Sequence, residues 1–467
     1  MQLGDLFDDA RLDLATATVE IHSVENDSRR CTPGSLFLAM PGTQDNGERY
    51  VDDAIERGAV AVMATSVVTD RVPVVVVPTS QVRALAADVS SSIVGHPERE
   101  LELVGVTGTN GKTTVTTLVG EMAQILGWNG ASVGTLTNLR TTPAPPELYR
   151  TLRRIVDGFT EAKPRAVVGL EVSSHALDQG RVDGLVFEVA AFTNLSHDHL
   201  DYHGTMEAYF GAKSALFSAD RTKRAVIWVD DAYGARLRDA VRVPAVPVTR
   251  ADAHAVTSSI LGTSFFWRGH LVRSPLVGAY NVDNALVAMT VLSVLGAPDE
   301  EVAAALGDVH GVPGRFQVVR DADPTVIVDY AHTPAGLERL LRDVRELAPD
   351  RRVTVVFGCG GDRDQAKRPV MGSVAEEWSD RVVVTSDNPR SESPDAIIDA
   401  IMSGMAAAHA VHRDVDRRTA IEWALTTAAP GDVVVIAGKG HETTQTTGDR
   451  VEPFDDRVVV REWSGRC

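Results

Sequence analysis

From residue 325 onward the chain repeats one pattern: a short β-branched apolar run, a polar cluster, then a stretch with helical spacing. The apolar runs are TVIVDYA, RVTVVFG, RVVVTSD and DVVVIAG, and the clusters that close them are DYAHT, GCGGDRD, SDNPR and GKGHE. Runs this apolar have no face for water, which predicts parallel strands covered by helices on both sides. Between two of them, TPAGLERLLRDVREL sets Leu337, Leu340, Leu341, Val344 and Leu347 on one helical face. Open parallel sheets bind ligands outside the carboxyl ends of their strands. All the polar clusters fall there, so the fold class is α/β and the expected site is built from several loops at once.

A second strand, loop and helix lies at VGVTGTNGKTTVTTLVG, residues 104 to 120. Val106 stands where the usual phosphate-loop pattern has its first glycine. The physical parts remain. Gly108 and Gly111 let the backbone curl so that the amides of Thr109, Asn110 and their neighbours face phosphate oxygens. Lys112 neutralises phosphate charge, Thr113 offers a hydroxyl to magnesium, and Thr114 continues into a helix whose positive end faces the same point. Val115, Leu118, Val119, Met122 and Leu126 give that helix an apolar face.

Downstream, EVSSH ends an apolar strand with Glu171, the expected place for a second oxygen ligand to magnesium. NLSHDHLDYHG then gathers His197, His199 and His203 with Asp198 and Asp201. Zinc is the competing reading, but no H-E-x-x-H motif or cysteine pair supports it. Lys213, in the helical pattern AYFGAKSALF, reads from periodicity alone as a solvated or salt-bridged lysine.

With 467 residues the chain exceeds one ordinary core. Residues 1–97 read as a small α/β unit ending at the linker GHPERE, residues 98–311 as the phosphate-loop segment, and residues 312–467 as the repeating α/β segment, entered through HGVPGRFQ. The net charge of −18 argues against a broad nucleic-acid surface, while local cations and metal still allow an anionic small substrate. No window is long and apolar enough for a bilayer. MQLGDLFDDA lacks the regions of a signal peptide, so cytoplasm is the expected compartment. Cys31, Cys359 and Cys467 have neither disulfide nor metal spacing and are expected as incidental thiols.

Taken together the motifs resemble the Mur ligase family, in its MurE branch. The resemblance rests on DSRRCTPGSLFLAMPG, GTNGKTT, TTP, EVSSHALDQGRV, FTNLSHDHLDYHG, AYFGAK, GAYNVDN, VPGRFQ, DYAHTP, FGCGGDRDQAKRP, DNPRSE and GKGHE, in the family's order. It implies three domains: an N-terminal domain for the UDP substrate, a central P-loop ATPase domain and a C-terminal Rossmann-like domain for the amino acid. It also implies carbamylation of Lys213 by carbon dioxide, giving an anion that helps hold a second magnesium together with His199. The implied reaction is ATP-dependent amide formation on the D-glutamate γ-carboxylate of UDP-N-acetylmuramoyl-L-alanyl-D-glutamate, through an acyl phosphate. Phosphoryl transfer needs positioning and charge neutralisation, so no nucleophilic triad is required.

By the same resemblance, Asn281 and His332 match positions near the nucleotide and Arg315 one on the hinge side. Asn26 and Ser28 match positions for the uridine end. Thr141, Thr142, Ser173, Gln179 and Arg181 match positions along the sugar-peptide, where an arginine suits a carboxylate clamp. Asp387, Asn388, Pro389 and Arg390 form the DNPR motif, whose arginine faces the far carboxylate of meso-diaminopimelate in this branch. Arg363, Gly438 and Glu442 match accompanying positions, with Glu442 suited to the far ammonium. NGERY at residues 46–50 departs from the family's Asp-Gly segment, and His197 replaces a common arginine. Small-molecule substrates and a monomer are expected. The alternatives are L-lysine or another diamino acid as the amine, a folylpolyglutamate synthase sibling, and a non-catalytic ATP-binding scaffold.

Overall fold

Strands form where β-branched runs were read, and their pairing decides which loops meet. The structure is a computed structural model that describes residues 1–7, 14–42, 46–137 and 140–465; Cys467 and the side chain of Asp201 lie outside the described residues. The chain packs as two compact units, Met1–Arg250 with Asn284–Val302 and Ala251–Asp283 with Ala303–Cys467.

The first unit holds two parallel sheets. The smaller runs in the order Ser23–Glu25, Ser35–Leu38, Ala59–Ala64, Val74–Val76. The larger runs Ala245–Val248, Ala225–Trp228, Val189–Phe192, Glu102–Thr107, Ala166–Glu171, Asn129–Val133. Glu102–Thr107 is paired on both sides, with Ala166–Glu171 and with Val189–Phe192. The strand order reverses around it, the kind of switch point where parallel sheets take ligands. The helix Lys112–Ile125 follows directly, burying Val115, Leu118, Val119 and Met122 completely. Leu126 was expected on that face but is the residue closing the helix, half-exposed where the chain turns into Gly127.

The second unit holds a sheet in the order Gln317–Arg320, Thr325–Asp329, Val433–Ala437, Val353–Phe357, Arg381–Val384, His412–Arg413. Thr325–Asp329, Val433–Ala437 and Val353–Phe357 are parallel and wholly buried, as their composition predicts, and Arg381–Val384 joins them in parallel with only Arg381 half-buried. The edge strand Gln317–Arg320 is antiparallel, a departure from the all-parallel expectation. It is half-buried along its length, so composition does not mark it. Leu337, Leu340, Leu341 and Val344 of the helix Pro334–Leu347 are buried on this sheet. A three-stranded antiparallel sheet, Ala253–Ser259, Gly262–Trp267 and His270–Ser274, and the hairpin Thr444–Thr447 with Arg450–Pro453 have no counterpart in the sequence reading. Their exposed Ser, Thr and Arg positions interrupt any apolar run. Cys31 and Cys359 are buried free thiols.

Candidate active site

The loop read as a phosphate loop is braced closely by its neighbours. Gly108 and Gly111 have φ of +151° and +87°. A Cβ on Gly108 would lie 1.9 Å from Thr193 Oγ1, and one on Gly111 would lie 2.3 Å from Asn284 Oδ1. The Thr193 hydroxyl donates to the Asn110 carbonyl at 2.6 Å, and the amides of Thr109 and Asn110 donate to the Asn194 carbonyl and Asn194 Oδ1 at 2.9 and 3.0 Å. Lys112 Nζ donates to the carbonyls of Gly108 and Thr109, both at 2.8 Å. No side-chain hydrogen bond caps the helix at Gly111, and the positive end of an uncapped helix favours an anion. Thr114 is buried behind them.

Thr113 Oγ1 donates to Glu171 Oε2 at 3.0 Å, and the Thr135 amide donates to Glu171 Oε1 at 2.8 Å. Both Thr113 and Glu171 are buried, so this carboxylate is fixed at the mouth of the loop. A hydroxyl and a carboxylate converging beside a phosphate loop are the oxygen donors that magnesium prefers, so the residues present fit that ion. Among the described residues, no three His, Cys, Asp or Glu side chains gather into a metal-binding group. Gly134 lies against the same carboxylate, where a Cβ would be 2.0 Å from Glu171 Oε1. Gly134→Ala is therefore expected to push Glu171 off Thr113 and lower kcat by about tenfold or more. Single-turnover phosphate release would check it, and an unchanged rate would contradict this placement.

Lys213 is buried, not solvated as periodicity alone suggested, with 1 % of its surface exposed. Its Nζ donates to the Gly108 carbonyl at 2.8 Å and lies 4.7 Å from the centre of the Tyr209 ring. Burial first, and the neighbouring Lys112 charge second, push its pKa well below the usual lysine range. Tyr209, also buried, places its hydroxyl 3.2 Å from Thr109 Oγ1. His199 is exposed at a left-handed φ of +53° and is reached through a row of rings, 6.0 Å from Tyr209 and 4.9 Å from His175. His203 stacks on Tyr209 at 5.1 Å and its Nε2 is 2.9 Å from Ser174 Oγ. His197 is exposed.

Beside Glu171 lies a polar row. Thr142 Oγ1 donates to the Glu171 carbonyl at 2.8 Å, and Ser173 Oγ is 3.4 Å from Thr142 Oγ1. Thr141 Oγ1 accepts from Thr135 at 3.2 Å. Arg181 donates to Gln179 Oε1 at 2.6 and 3.1 Å and to the Thr142 carbonyl at 3.0 Å. Those acceptors are neutral, and burial with the nearby Arg140 charge lowers the Arg181 pKa. A substrate carboxylate would relieve both effects. Asn26 is exposed beside the strand Ser23–Glu25, and Ser28 is buried in the short helical turn that follows.

The remaining candidates belong to the second unit. Asn388 Nδ2 donates to Glu442 Oε2 at 2.8 Å. Arg390, at φ +50°, donates through Nη1 to the Gly361 carbonyl at 2.6 Å. A Cβ on Gly360 would be 3.1 Å from Arg390 Nη1 and 3.8 Å from Arg363 Cγ, which puts both arginines at one strand end. Gly361 admits Pro389 more closely still, its virtual Cβ falling 1.8 Å from the Pro389 carbonyl oxygen. Asp387 is buried, and burial pushes its carboxyl up against the opposing charges of Arg417 and Lys439. The Arg315 guanidinium lies 4.6 Å over the Tyr330 ring, and His332 Nδ1 is 2.9 Å from the Tyr330 carbonyl. Asn281 is buried, with Nδ2 donating to the Val277 carbonyl at 2.7 Å and Oδ1 unpartnered.

Sequence reasoning missed the supports. Asn284, Thr193 and Asn194 brace the phosphate loop, and Tyr209 covers Lys213, although all lie inside quoted motifs. Lys439 is fully buried, its Nζ 3.2 Å from both Asn388 Oδ1 and Glu442 Oε2. GKGHE contained it, but a lysine beside glycines carries no signal of burial.

Family models match three stretches: "Mur ligase family, catalytic domain" over residues 20–97, "Mur ligase middle domain" over 106–292, and "Mur ligase, glutamate ligase domain" over 314–440. A UDP-N-acetylmuramoyl-L-alanyl-D-glutamate--2,6-diaminopimelate ligase of Synechococcus elongatus is 44% identical, covering 97% of this chain and 94% of its own. The ligase of the same name from Geobacillus kaustophilus is 42% identical over 95% and 94%. A solved structure of a ligase of that name superposes with a TM-score of 0.69 at 31% identity, covering 100% of this chain and 99% of its own. A folylpolyglutamate synthase of Mycobacterium tuberculosis shares the fold, with a TM-score of 0.60 at 20% identity over 82% of this chain and 96% of its own. The architecture is the three-domain α/β arrangement of these ligases, and the chain belongs to the Mur ligase family, in its MurE branch.

Proposed function

We propose that this chain uses ATP to phosphorylate the D-glutamate γ-carboxylate of UDP-N-acetylmuramoyl-L-alanyl-D-glutamate and joins meso-diaminopimelate to it, a step of peptidoglycan synthesis. The division into residues 1–97, 98–311 and 312–467 assigns uridine binding, ATP binding and amino-acid binding in turn. The observation that carries the choice of amine is the pair Arg390 and Glu442, set around Asn388 in one loop cluster. The far end of diaminopimelate carries a carboxylate and an ammonium, the two charges that this pair complements. L-lysine lacks the carboxylate.

The triphosphate is assigned to Lys112 and the uncapped start of the helix Lys112–Ile125, because the Thr109 and Asn110 amides, expected to face phosphate, are instead engaged by Asn194. Thr113, Glu171, His199 and a carbamate on Lys213 are the ligands we assign to magnesium, which when bound neutralises phosphate charge during transfer. The carbamate reading is supported by a buried lysine whose pKa burial and the Lys112 charge push well below the usual lysine range, a shift toward the neutral amine that adds to carbon dioxide. Arg181, with Thr141, Thr142, Ser173 and Gln179, orients the dipeptide so that its γ-carboxylate meets the γ-phosphate. The acyl phosphate that forms is attacked by the amine, and phosphate leaves. Asn281, Arg315 and His332 are assigned to the nucleotide, and Asn26 and Ser28 to the uridine end. The reaction calls only for small molecules, so a cytoplasmic monomer suffices. Among the described residues no helix is long and apolar enough to cross a membrane.

Phosphate release tests this reading against a scaffold. Release should require both the nucleotide dipeptide and diaminopimelate; tight ATP binding without turnover on any amine would overturn it.

A further inference from the structure

The strands Arg381–Val384 and Val433–Ala437 carry DNPR and GKGHE just beyond their ends, yet they are not neighbours in the sheet. Val353–Phe357 lies between them and pairs with both. Two strand spacings separate them, about 10 Å, so no ladder bond fixes the distance between the two loops. Beyond the middle strand the gap narrows. A Cβ on Gly358 would be 2.2 Å from the Thr385 carbonyl oxygen and 2.9 Å from the Asp387 amide nitrogen. One on Gly438 would be 2.7 Å from Asp387 Oδ2. The chain after Val384 thus leans across the end of the middle strand toward Gly438.

One side chain spans that gap from below. Arg417 opens the helix Arg417–Thr427 and is buried to 1 % exposure. Its Nη1 donates to the Ser386 carbonyl at 3.1 Å and its Nη2 to the Ala437 carbonyl at 3.0 Å, the last carbonyls before Asp387 and Gly438. Asp456, with no exposed surface, accepts from Nε and Nη2, both at 2.8 Å, and fixes the plane of the fork. A buried ion pair is a poor way to gain stability, because desolvation consumes most of the attraction. Its planar, multi-point bonding is a good way to fix two backbones at one separation. Lys439 extends the tie above it, bonding Asn388 on one loop and Glu442 on the other.

We propose that the Arg417–Asp456 pair is the positioning element of the amine site, setting the spacing between the loop that bears Asn388 and Arg390 and the loop that bears Glu442. The proposal rests on the reading of those loops as the amine site. Neither residue meets the amine; each acts through the carbonyls it holds. Selectivity for a diamino acid with two charged ends depends on that spacing, whereas ATP affinity does not.

The test compares the full-length protein with Arg417→Lys and with the double variant Arg417→Met/Asp456→Leu. The lysine variant keeps the buried cation against Asp456 but cannot reach both carbonyls in one plane. The double variant removes both charges of the pair together, and buried Asp387, which also faces Arg417, keeps Lys439 as its opposing charge. KM for ATP, the nucleotide dipeptide and the amine are measured, with thermal melting alongside. In both variants the KM for diaminopimelate should rise about tenfold or more, and its preference over L-lysine should fall by a similar factor. The other two KM values should move less than about twofold. Unchanged amine KM and preference, or three KM values rising in parallel, would show that the pair serves stability alone. The starting protein separates this from the underlying reading: should it join a different amine, the diaminopimelate assignment fails, and the clamp is judged on the KM of that amine.

Discussion

Lys213→Met should lose turnover by at least about 10³-fold, the scale of removing a charge-stabilising group from a transition state. The substitution keeps the volume and apolar stem inside the pocket formed with Tyr209, so folding survives. What disappears is the amine that carbon dioxide would modify. Lys213→Met should therefore be indifferent to bicarbonate, while the starting protein, stripped of carbon dioxide, regains activity when bicarbonate returns. Labelled bicarbonate gives a direct readout, a carbamate carbon resonance present in the starting protein and missing in the variant. A resonance that persists in Lys213→Met would place the carbamate elsewhere. The pH dependence has a definite sign. In the unmodified protein, the folded Lys213 releases its proton below the ordinary lysine pKa, so the unfolded chain binds more protons between the two values. Stability from this group thus rises with pH across that window, and the variant loses the slope. Thermal melting of the carbon-dioxide-free protein across alkaline pH measures it.

Arg390→Ala should cost roughly 2 to 5 kcal/mol in kcat/KM for diaminopimelate, the scale of leaving one member of a buried charge pair alone. ATP binding, which we assign to the loop at Gly108–Thr114, should be unchanged. Arg390→Lys restores a charge but not the planar fork, and is expected to recover only part of the loss. The left-handed backbone of Arg390 adds a control. Arg390→Gly relieves that strain while removing the guanidinium, so equal losses in Ala and Gly assign the effect to the side chain. Unchanged kinetics for diaminopimelate in Arg390→Ala would refute the amine assignment.

The sequence was most legible where hydrophobic pattern and polar punctuation coincide. The parallel strands Thr325–Asp329, Val353–Phe357 and Val433–Ala437 announce themselves as β-branched runs, and their clusters fall beyond the strand ends as expected. Gly108, Gly111 and Thr113 were readable because the phosphate loop demands those residue types in that order. Lys213 was not readable from periodicity, since only the fold shows that Gly108 and Tyr209 enclose it. The same holds for Arg417 and Asp456, 39 residues apart and joined only by tertiary packing. Gln317–Arg320 and Ala253–Ser259 were missed because edge and exposed strands have no apolar alternation to read. In this chain, local motifs single out the groups we assign to ligands, whereas the bracing role of their supports, even of those inside the motifs, is visible only in the fold.

The most direct test of the account is the mass of the product. The purified protein is given ATP, magnesium, bicarbonate and the nucleotide dipeptide, with equal concentrations of diaminopimelate and L-lysine in competition. The account predicts one lengthened nucleotide-peptide, heavier by a diaminopimelyl residue, with one phosphate released per product. A lysyl product would contradict the assignment of Arg390 and Glu442, and no lengthened product with either amine would contradict the ligase itself.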